Sequence, residues 1–344
     1  MTSAKVIVCV PTFNKAELLK QSVGSILNQT FSNFKLIIVD DHSSDDTKQV
    51  VASFGDPRIR YCVNPRNLGL TANWNRCVEL ALGEPASYVA VYHDDDHYAP
   101  TILEREVAFL ERHLHVGFVH TAQLYYNEDQ DHYAVRMPYT GDKIISEIDL
   151  LDDVCFRGIY HIATPSVLAR KDAYVKAGGF DPTFKICPDL DLWWRMLEHY
   201  DMGYIAEPLL TQRIHRKQMS SSAEALNNAL TQKETGLVLG RALRRLCERY
   251  KNLDVERYTR HVQAFCALRI LKAARDALLE ADHSAVSKAC AEAVRTSPRM
   301  NIYVGAIALR LLNNGVGRFT VSAIVRCFRY LRRGRRPASP SGIK

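Results

Sequence analysis

The sequence predicts an α/β fold, with a mostly parallel sheet flanked by helices, followed by an all-helical C-terminal region. Three observations carry that expectation. Apolar β-branched runs alternate with helical periodicity through the first hundred residues, the pattern of right-handed β-α-β crossovers. Those runs are apolar almost throughout, as in strands covered on both faces. From Ala223 the composition turns to Ala, Leu and Arg with long helical periodicity.

Val6–Val10 is read as the first strand, ended by Pro11-Thr12-Phe13-Asn14. Lys15–Asn28 then carries Leu18, Leu19, Val23, Ile26 and Leu27 at helical spacing. Lys35–Val39 is a second strand ending in Asp40-Asp41, and Ser43, Ser44 and Asp45 offer caps to a helix running towards Phe54. Ile59–Val63 is a third strand, followed by Asn64-Pro65-Arg66-Asn67-Leu68-Gly69 and a helix over Thr71–Leu82 that Gly83 stops. Ile102–Leu114 reads as a helix, and Val116–Tyr126 contains a strand. Tyr125–Tyr139 mixes aromatics and charges, as a variable loop or a plain surface hairpin would.

The strand Tyr88–Tyr92 runs into His93-Asp94-Asp95-Asp96. Three adjacent carboxylates repel one another, a cost that a solvated turn absorbs and a partly buried site must offset with a cation. Oxygen ligands favour a hard ion such as Mg²⁺ or Mn²⁺. Ligands of open α/β sheets lie beyond the carboxyl ends of the strands, and three strands here end in polar groups: Thr12 and Asn14, Asp40 and Asp41, then His93–Asp96. Together they point to a nucleotide site. No GxGxxG follows the first strand and no GxxxxGK[ST] occurs, which argues against hydride transfer and P-loop chemistry.

The 344 residues suffice for one large domain and a smaller one, and 47% hydrophobic with 24% charged residues is ordinary for a globular protein. The net charge of +7 conceals an asymmetry. Residues 1–223 hold 22 Lys/Arg against 29 Asp/Glu; residues 224–344 hold 23 against 9, with no acid after Glu292. Nine cysteines without a CxxC pair suit a reducing cytosol better than a disulfide framework or a cysteine-based zinc site. The chain enters its first strand without a signal-peptide pattern, and no stretch reaches the roughly 18 apolar residues of a membrane span.

Several of these stretches resemble the opening of family-2 glycosyltransferases: Val8-Cys9-Val10-Pro11-Thr12-Phe13-Asn14-Lys15, Ser25–Phe31, Leu36–Thr47, Asn67-Leu68-Gly69 and His93–Asp96. Thr164–Lys171, Ala177-Gly178-Gly179-Phe180-Asp181 and Cys187–Arg195 resemble the family's acceptor half. The resemblance covers about residues 5–222 and implies a GT-A, Rossmann-like fold. It further implies a nucleotide-sugar donor, a divalent cofactor (Mn²⁺ or Mg²⁺) and inversion at the anomeric carbon. The implied halves are a nucleotide-sugar-binding part over about 1–115 and an acceptor part over about 116–222.

By the same resemblance Pro11, Thr12, Phe13 and Asn14 hold base and ribose, with Phe13 packed on the ring. Asp40, beside Asp41, accepts from the base N–H, a pairing that favours uracil and so a UDP-sugar. His93 stands where the family's acidic motif begins; Asp94 or His93 meets the ribose, Asp95 the metal, and Asp96 lies behind it. Asn67 and Asn73 are further donor-site candidates, Asn73 being equally readable as a surface residue of its helix. Asp189 matches the general base, although Pro188 replaces the family's usual Glu and helix capping is the plainer alternative. Asp191 reads as a first-turn acid, Trp193 and Trp194 as packing. In the family's Arg-x-His…Gln-x-Ser loop, Arg213 can pair with phosphate, and His215 can bind the metal or meet the diphosphate.

The C-terminal third reads as helices over 224–252, 255–281, 283–296, 300–313 and 320–331, with a flexible tail from about 334. Arg326, Arg329, Arg332 and Arg333 beside an apolar face suggest a helix on an anionic membrane surface, the alternative being a helix packed on the catalytic domain. No nucleic-acid-reading module accompanies the charge. The whole suggests a cytoplasmic enzyme, peripheral on the inner membrane face, that glycosylates a glycan or lipid-linked acceptor in cell-surface polysaccharide synthesis. A degenerate nucleotide-sugar binder or membrane scaffold is the alternative.

Overall fold

The computed structural model describes residues 4–159, 162–215 and 228–265. The helices expected over 283–296, 300–313 and 320–331, and the tail, lie outside the described residues, as do positions 216–220 of the Gln-x-Ser loop.

Contacts divide the chain into two units, residues 1–223 with 241–251, and residues 224–240 with 252–344. The first unit is built on one mixed sheet. Its amino-terminal part is parallel: β1 (Val6–Thr12) lies between β2 (Phe34–Asp40) and β4 (Tyr88–Val91), and β3 (Ile59–Val63) flanks β2. Helices α1 (Ala16–Leu27), α2 (Thr47–Ser53) and α3 (Leu70–Leu82) make the crossovers that the sequence pattern predicts. All seven residues of β1 and all four of β4 are buried, which is why their sequences run apolar without alternation.

A proline in a central strand removes a ladder donor, so Pro11 needs an explanation. Pairing of β4 with β1 ends at Cys9↔Val91, two residues earlier, while β2 continues to Thr12↔Asp40. Pro11 therefore costs no hydrogen bond towards β4. There the sheet splits, and the gap opens at the carboxyl edge.

The remaining strands mix directions. After β5 (His97–Tyr98) and α4 (Ile102–Arg112) come β6 (Val116–Asn127), β7 (His132–Arg136) and β8 (Lys143–Ile145). Helix α5 (Glu147–Asp152) leads to β9 (Leu168–Arg170), α6 (Lys171–Ala177), α7 (Pro188–Leu197) and β10 (Asp201–Ile214). Strand β9 pairs antiparallel with both β4 and β6, joining the two parts of the sheet; β10 is parallel to β6. The order is β3-β2-β1-β4-β9-β6-β10-β5, with β7 on β6 and β8 on β10. Pro208 lies where the β10 register shifts, a position that tolerates its missing donor. The core joins Val6, Val8, Val10, Leu19, Ile38 and Tyr92 to Leu103, Val119 and Leu168.

The final described element of the first unit is the end of α8 (Asn228–Arg249), residues 241–249. In the second unit the start of α8 and a helix over 255–265 are described, with Val238, Leu239 and Val262 buried.

Candidate functional site

Two loops at the carboxyl edge are locked to each other. Asn14 adopts a left-handed backbone (φ 54°) and donates its N–H to Ser43 Oγ at 2.9 Å, while its side chain accepts from the Ser44 N–H at 2.8 Å. Asp45 accepts from the Ala16 N–H at 2.9 Å and the Thr47 N–H at 3.1 Å, tying the starts of α1 and α2 together. Pro11 and Thr12 are buried at the end of β1, and Phe13 stands exposed beyond them, free to meet a flat ring.

Asp40 is buried, accepts from the Ser43 N–H at 2.8 Å and receives the Tyr61 hydroxyl on its other oxygen. Burial, then the Asp40 carboxylate, pushes the Tyr61 phenol well above its ordinary range, so it stays a donor. Asp41 is a brace: it accepts from Asn64 Nδ2 and the Leu68 N–H, both at 2.8 Å, and from the Gly69 N–H at 2.9 Å. Asn73 is buried rather than on the helix surface, accepting from Asn64 Nδ2 at 2.9 Å and donating to the Val39 carbonyl at 3.2 Å. Asp41 and Asn73, both expected at the donor site, are thus engaged within the chain, where they hold the 64–69 loop; Asn67 is exposed on it.

The acidic cluster is deeply buried, with Asp94 and Asp95 at 5% exposure and Asp96 at 1%. Lys15 reaches into it, its Nζ 3.0 Å from Asp94 Oδ1 and 2.8 Å from Asp95 Oδ2. His215 Nε2 lies 3.2 Å from the same Asp95 oxygen, and the Arg213 backbone N–H donates to Asp96 Oδ1 at 3.1 Å. The end of β10 therefore closes over the end of β4. The Arg213 guanidinium turns to Gln21 and to Glu128 at 3.4 Å.

Electrostatics separates the acids. Burial works against ionising Asp95, but the His215 bond and the Lys15 charge outweigh it and hold that carboxyl well below the usual range. Burial, reinforced by Asp95, pushes Asp96 well above it; burial also raises Asp94 despite Lys15. Burial pushes the His93 imidazole down to about 4, which keeps it neutral and able to ligate.

Whether these residues suit a divalent ion is answered by what they leave unsatisfied. His93 Nε2 and Asp96 Oδ2 are buried with no hydrogen-bond partner. Among the described residues, His93, Asp95 and Asp96 offer ligand atoms all within 4.8 Å of one another. Carboxylates with one imidazole fit Mn²⁺ or Mg²⁺ chemistry, so the donor set fits, with His93 joining it.

Asp189 sits in the first turn of α7, just after Pro188, and does not cap it; the N-cap is Cys187. Its Oδ2 accepts from Thr164 Oγ1 at 2.8 Å and its Oδ1 from the Leu190 N–H at 2.8 Å. Thr164 Oγ1 in turn accepts from Trp193 Nε1 at 3.1 Å, a chain that fixes the carboxylate's orientation. Burial raises the Asp189 carboxyl against those two bonds, in the direction that suits a base. Trp193 and Trp194 are core residues. Rings run from Trp193 to the acidic cluster: His93 lies 5.4 Å from Trp74, Trp74 5.0 Å from Phe180, and Phe180 6.4 Å from Trp193.

The ground under Asp189 is held from three sides. Asn75 of α3 makes a two-way amide clasp with Phe180, donating at 2.8 Å and accepting at 2.7 Å. A Cβ on Gly179 would meet that amide at 2.4 Å, and Gly178 needs φ +77°, so the glycine pair is required. Asp191 is buried and pairs with Arg195 at 2.7 Å. Arg241 of α8 spans the segment, 2.9 Å from Asp181, 3.6 Å from Asp191 and 4.7 Å from the Phe184 ring centre. Lys15, Tyr61, Asn75, Thr164 and Arg241 were given no role from the sequence, although Lys15 and Thr164 lay inside recognised motifs.

Comparisons with known proteins agree with this layout. The model of glycosyl transferase family 2 matches residues 7–176. EpsE of Bacillus subtilis, named as a glycosyltransferase, is 34% identical over 210 residues, which span 58% of this chain and 69% of EpsE. The Campylobacter jejuni GalNAc(5)-diNAcBac-PP-undecaprenol beta-1,3-glucosyltransferase is 37% identical over 119 residues, 34% of this chain and 36% of that one. Among solved structures, S. aureus TarS 1-349 in complex with UDP-GlcNAc superposes with a TM-score of 0.63 at 15% identity, covering 96% of this chain and 92% of that one. The mannosyltransferase PcManGT from Pyrobaculum calidifontis, in complex with GDP-Man and Mn²⁺, gives 0.51 at 17%, covering 92% and 88%. These structural likenesses establish the GT-A type of fold. With the fold, the family model and the EpsE match in agreement, the chain belongs to glycosyl transferase family 2.

Proposed function

We propose that this glycosyltransferase is inverting and metal-dependent, with Asp189 as its base. The carrying observation is the Trp193–Thr164–Asp189 chain, which holds one carboxylate, raised by burial, and which ring contacts through Phe180 and Trp74 join to His93 of the buried acidic cluster. Asp189 takes the proton of the acceptor hydroxyl as that oxygen attacks the anomeric carbon. The new C–O bond forms as the bond to the nucleoside diphosphate breaks on the opposite face, so configuration inverts. His93, Asp95 and Asp96, with His215 beside them, would hold a divalent ion. Such an ion supplies charge stabilisation to the departing diphosphate. Phe13 packs on the base, the Asn14 loop and Asp40 border base and ribose, with Asp94 near the ribose, and Arg213 and Asn67 edge the donor pocket.

A UDP-sugar is the favoured donor, supported by the Asp40 carboxylate at the base position and by the UDP-GlcNAc complex of TarS. A glycan or lipid-linked acceptor in cell-surface polysaccharide synthesis is supported by the undecaprenol-linked substrate in the Campylobacter relative's name. A cytoplasmic enzyme at the inner membrane face fits such an acceptor; no helix of the described residues is long and apolar enough to cross a membrane. The test is Asp189→Asn. Sugar transfer should fall by about three orders of magnitude or more while UDP binding, read by calorimetry with Mn²⁺, stays within twofold. Undiminished transfer by the folded variant would remove Asp189 from the mechanism.

A further inference from the structure

We propose that Lys15 is the resident counter-ion of the acidic cluster, and that a divalent cation binds there only by displacing it. The inference rests on the metal-dependent reading above and adds a competitor to it. One ammonium bridges two buried carboxylates, 3.0 Å from Asp94 Oδ1 and 2.8 Å from Asp95 Oδ2. Asp95 Oδ2 also faces His215 Nε2 at 3.2 Å, so one oxygen of a candidate metal ligand is already engaged twice. Two like charges cannot share that oxygen at contact distance, because ion and ammonium repel each other in a site of low dielectric.

Lys15 is built to leave. Its side chain is 23% exposed, against 7% and 5% for its two partners, so a rotation of its four-carbon stem carries the ammonium outwards. Its backbone stays fixed, since the flanking Asn14 and Ala16 N–H groups are bonded to Ser43 and Asp45. It follows directly on the Pro11–Asn14 loop, where the nucleotide is placed, so a bound diphosphate offers the released ammonium an anionic partner. Nucleotide and metal then bind cooperatively, and by linkage each tightens the other equally.

Titration of the full-length protein with Mn²⁺, followed by the paramagnetic resonance signal of the free ion, tests this without turnover. In the absence of nucleotide, Lys15→Gln should bind Mn²⁺ at least tenfold tighter than wild type, and Lys15→Arg, which keeps the charge, should stay within threefold of wild type. Addition of UDP should tighten Mn²⁺ binding by wild type at least fivefold and by Lys15→Gln less than twofold. Equal nucleotide-free affinities of wild type and Lys15→Gln overturn the inference and leave the metal site standing. Tightening by Lys15→Arg as large as by Lys15→Gln overturns it too, since loss of charge would not be the cause. Absence of Mn²⁺ binding by every protein, with UDP present, overturns the metal-dependent reading and this inference together.

Discussion

Thr164→Val isolates what orients the candidate base. Thr164 Oγ1 stands between two partners, accepting from Trp193 Nε1 at 3.1 Å and donating to Asp189 Oδ2 at 2.8 Å. Valine keeps the outline of the side chain and removes both bonds. A hydrogen bond to an ionised acceptor contributes about 1.5–3 kcal/mol. Burial already raises the Asp189 carboxyl, and the Thr164 bond is the chief force against that rise, so its loss favours the protonated acid. A general base works only as the carboxylate, and activity is therefore lost as pH falls through its titration. In Thr164→Val that loss must begin at a higher pH. At neutral pH the same energy amounts to roughly a ten- to hundredfold lower kcat, with donor KM unchanged because Thr164 touches no proposed donor residue.

The assay is steady-state release of nucleoside diphosphate across the pH range, run on wild type, Thr164→Val and Thr164→Ser. Serine restores a hydroxyl and should recover most of the rate and the original acidic limb. A melting curve accompanies each protein, because valine leaves the Trp193 N–H unpaired in the core at a cost of about 1–3 kcal/mol. A folded Thr164→Val with an unmoved acidic limb and kcat within twofold of wild type would refute both the role of Asp189 and its orientation by Thr164.

Two further perturbations address stability. Burial raises the Glu147 carboxyl from its ordinary 4.5 to about 7, Arg249 and Arg245 opposing and Glu198 adding to the rise. A carboxyl raised in the folded state stabilises fully below 4.5 and loses that contribution by about pH 7. The melting temperature of Glu147→Gln relative to wild type should therefore climb across that interval and level off above it; a constant difference counts against the assignment. Asp41→Asn removes one of the oxygens that accept from Asn64, Leu68 and Gly69. A loss of about 2 kcal/mol lowers the melting temperature by roughly 4–8 °C in a domain of this size, and a change under 1 °C would show that the 64–69 loop does not depend on it.

The parallel half of the sheet was legible because both faces of β1 and β4, and of β2 beyond the exposed Lys35, are covered, and that burial is written as apolar runs. Of the other strands, β6 and its hairpin with β7 were legible and the short ones were not. Strands β5, β8 and β9 are two or three residues long, too short to show a period of two, and exist because neighbours supply their partners. Candidate positions stood out where an element boundary carries a carboxylate: Asp40 at the end of β2, Asp95 in the turn after β4 and Asp189 in the first turn of α7. Their partners did not, since the bonds that give them meaning cross long stretches of chain. Lys15 meets Asp94 and Asp95 some 79 and 80 positions away, and Thr164 meets Asp189 across 25. Asn73 shows the same limit from the other side: a polar helix residue reads as surface until Asn64 and the Val39 carbonyl satisfy its amide in the interior.

Charge illustrates how a correct count can carry an incomplete meaning. Attraction to an anionic membrane surface is the reading of Arg326, Arg329, Arg332 and Arg333, which lie outside the described residues, but the basic excess begins long before them. Arg241, Arg245 and Arg249 recur every fourth residue on one face of α8, and that face meets acids of the same unit. Arg241 pairs with Asp181 and Asp191, Arg245 with Glu198 at 2.6 Å, and Arg249 with Glu147 at 2.9 Å. Four acids of the first 223 residues and the start of the basic excess thus form one intramolecular contact. Composition changes at 223, whereas packing of the first unit takes in residues 241–251. The consequence reaches the site, because Asp181 and Asp191 bracket Asp189 and a single guanidinium holds both. The first part of the basic excess therefore packs on the segment that carries the candidate base.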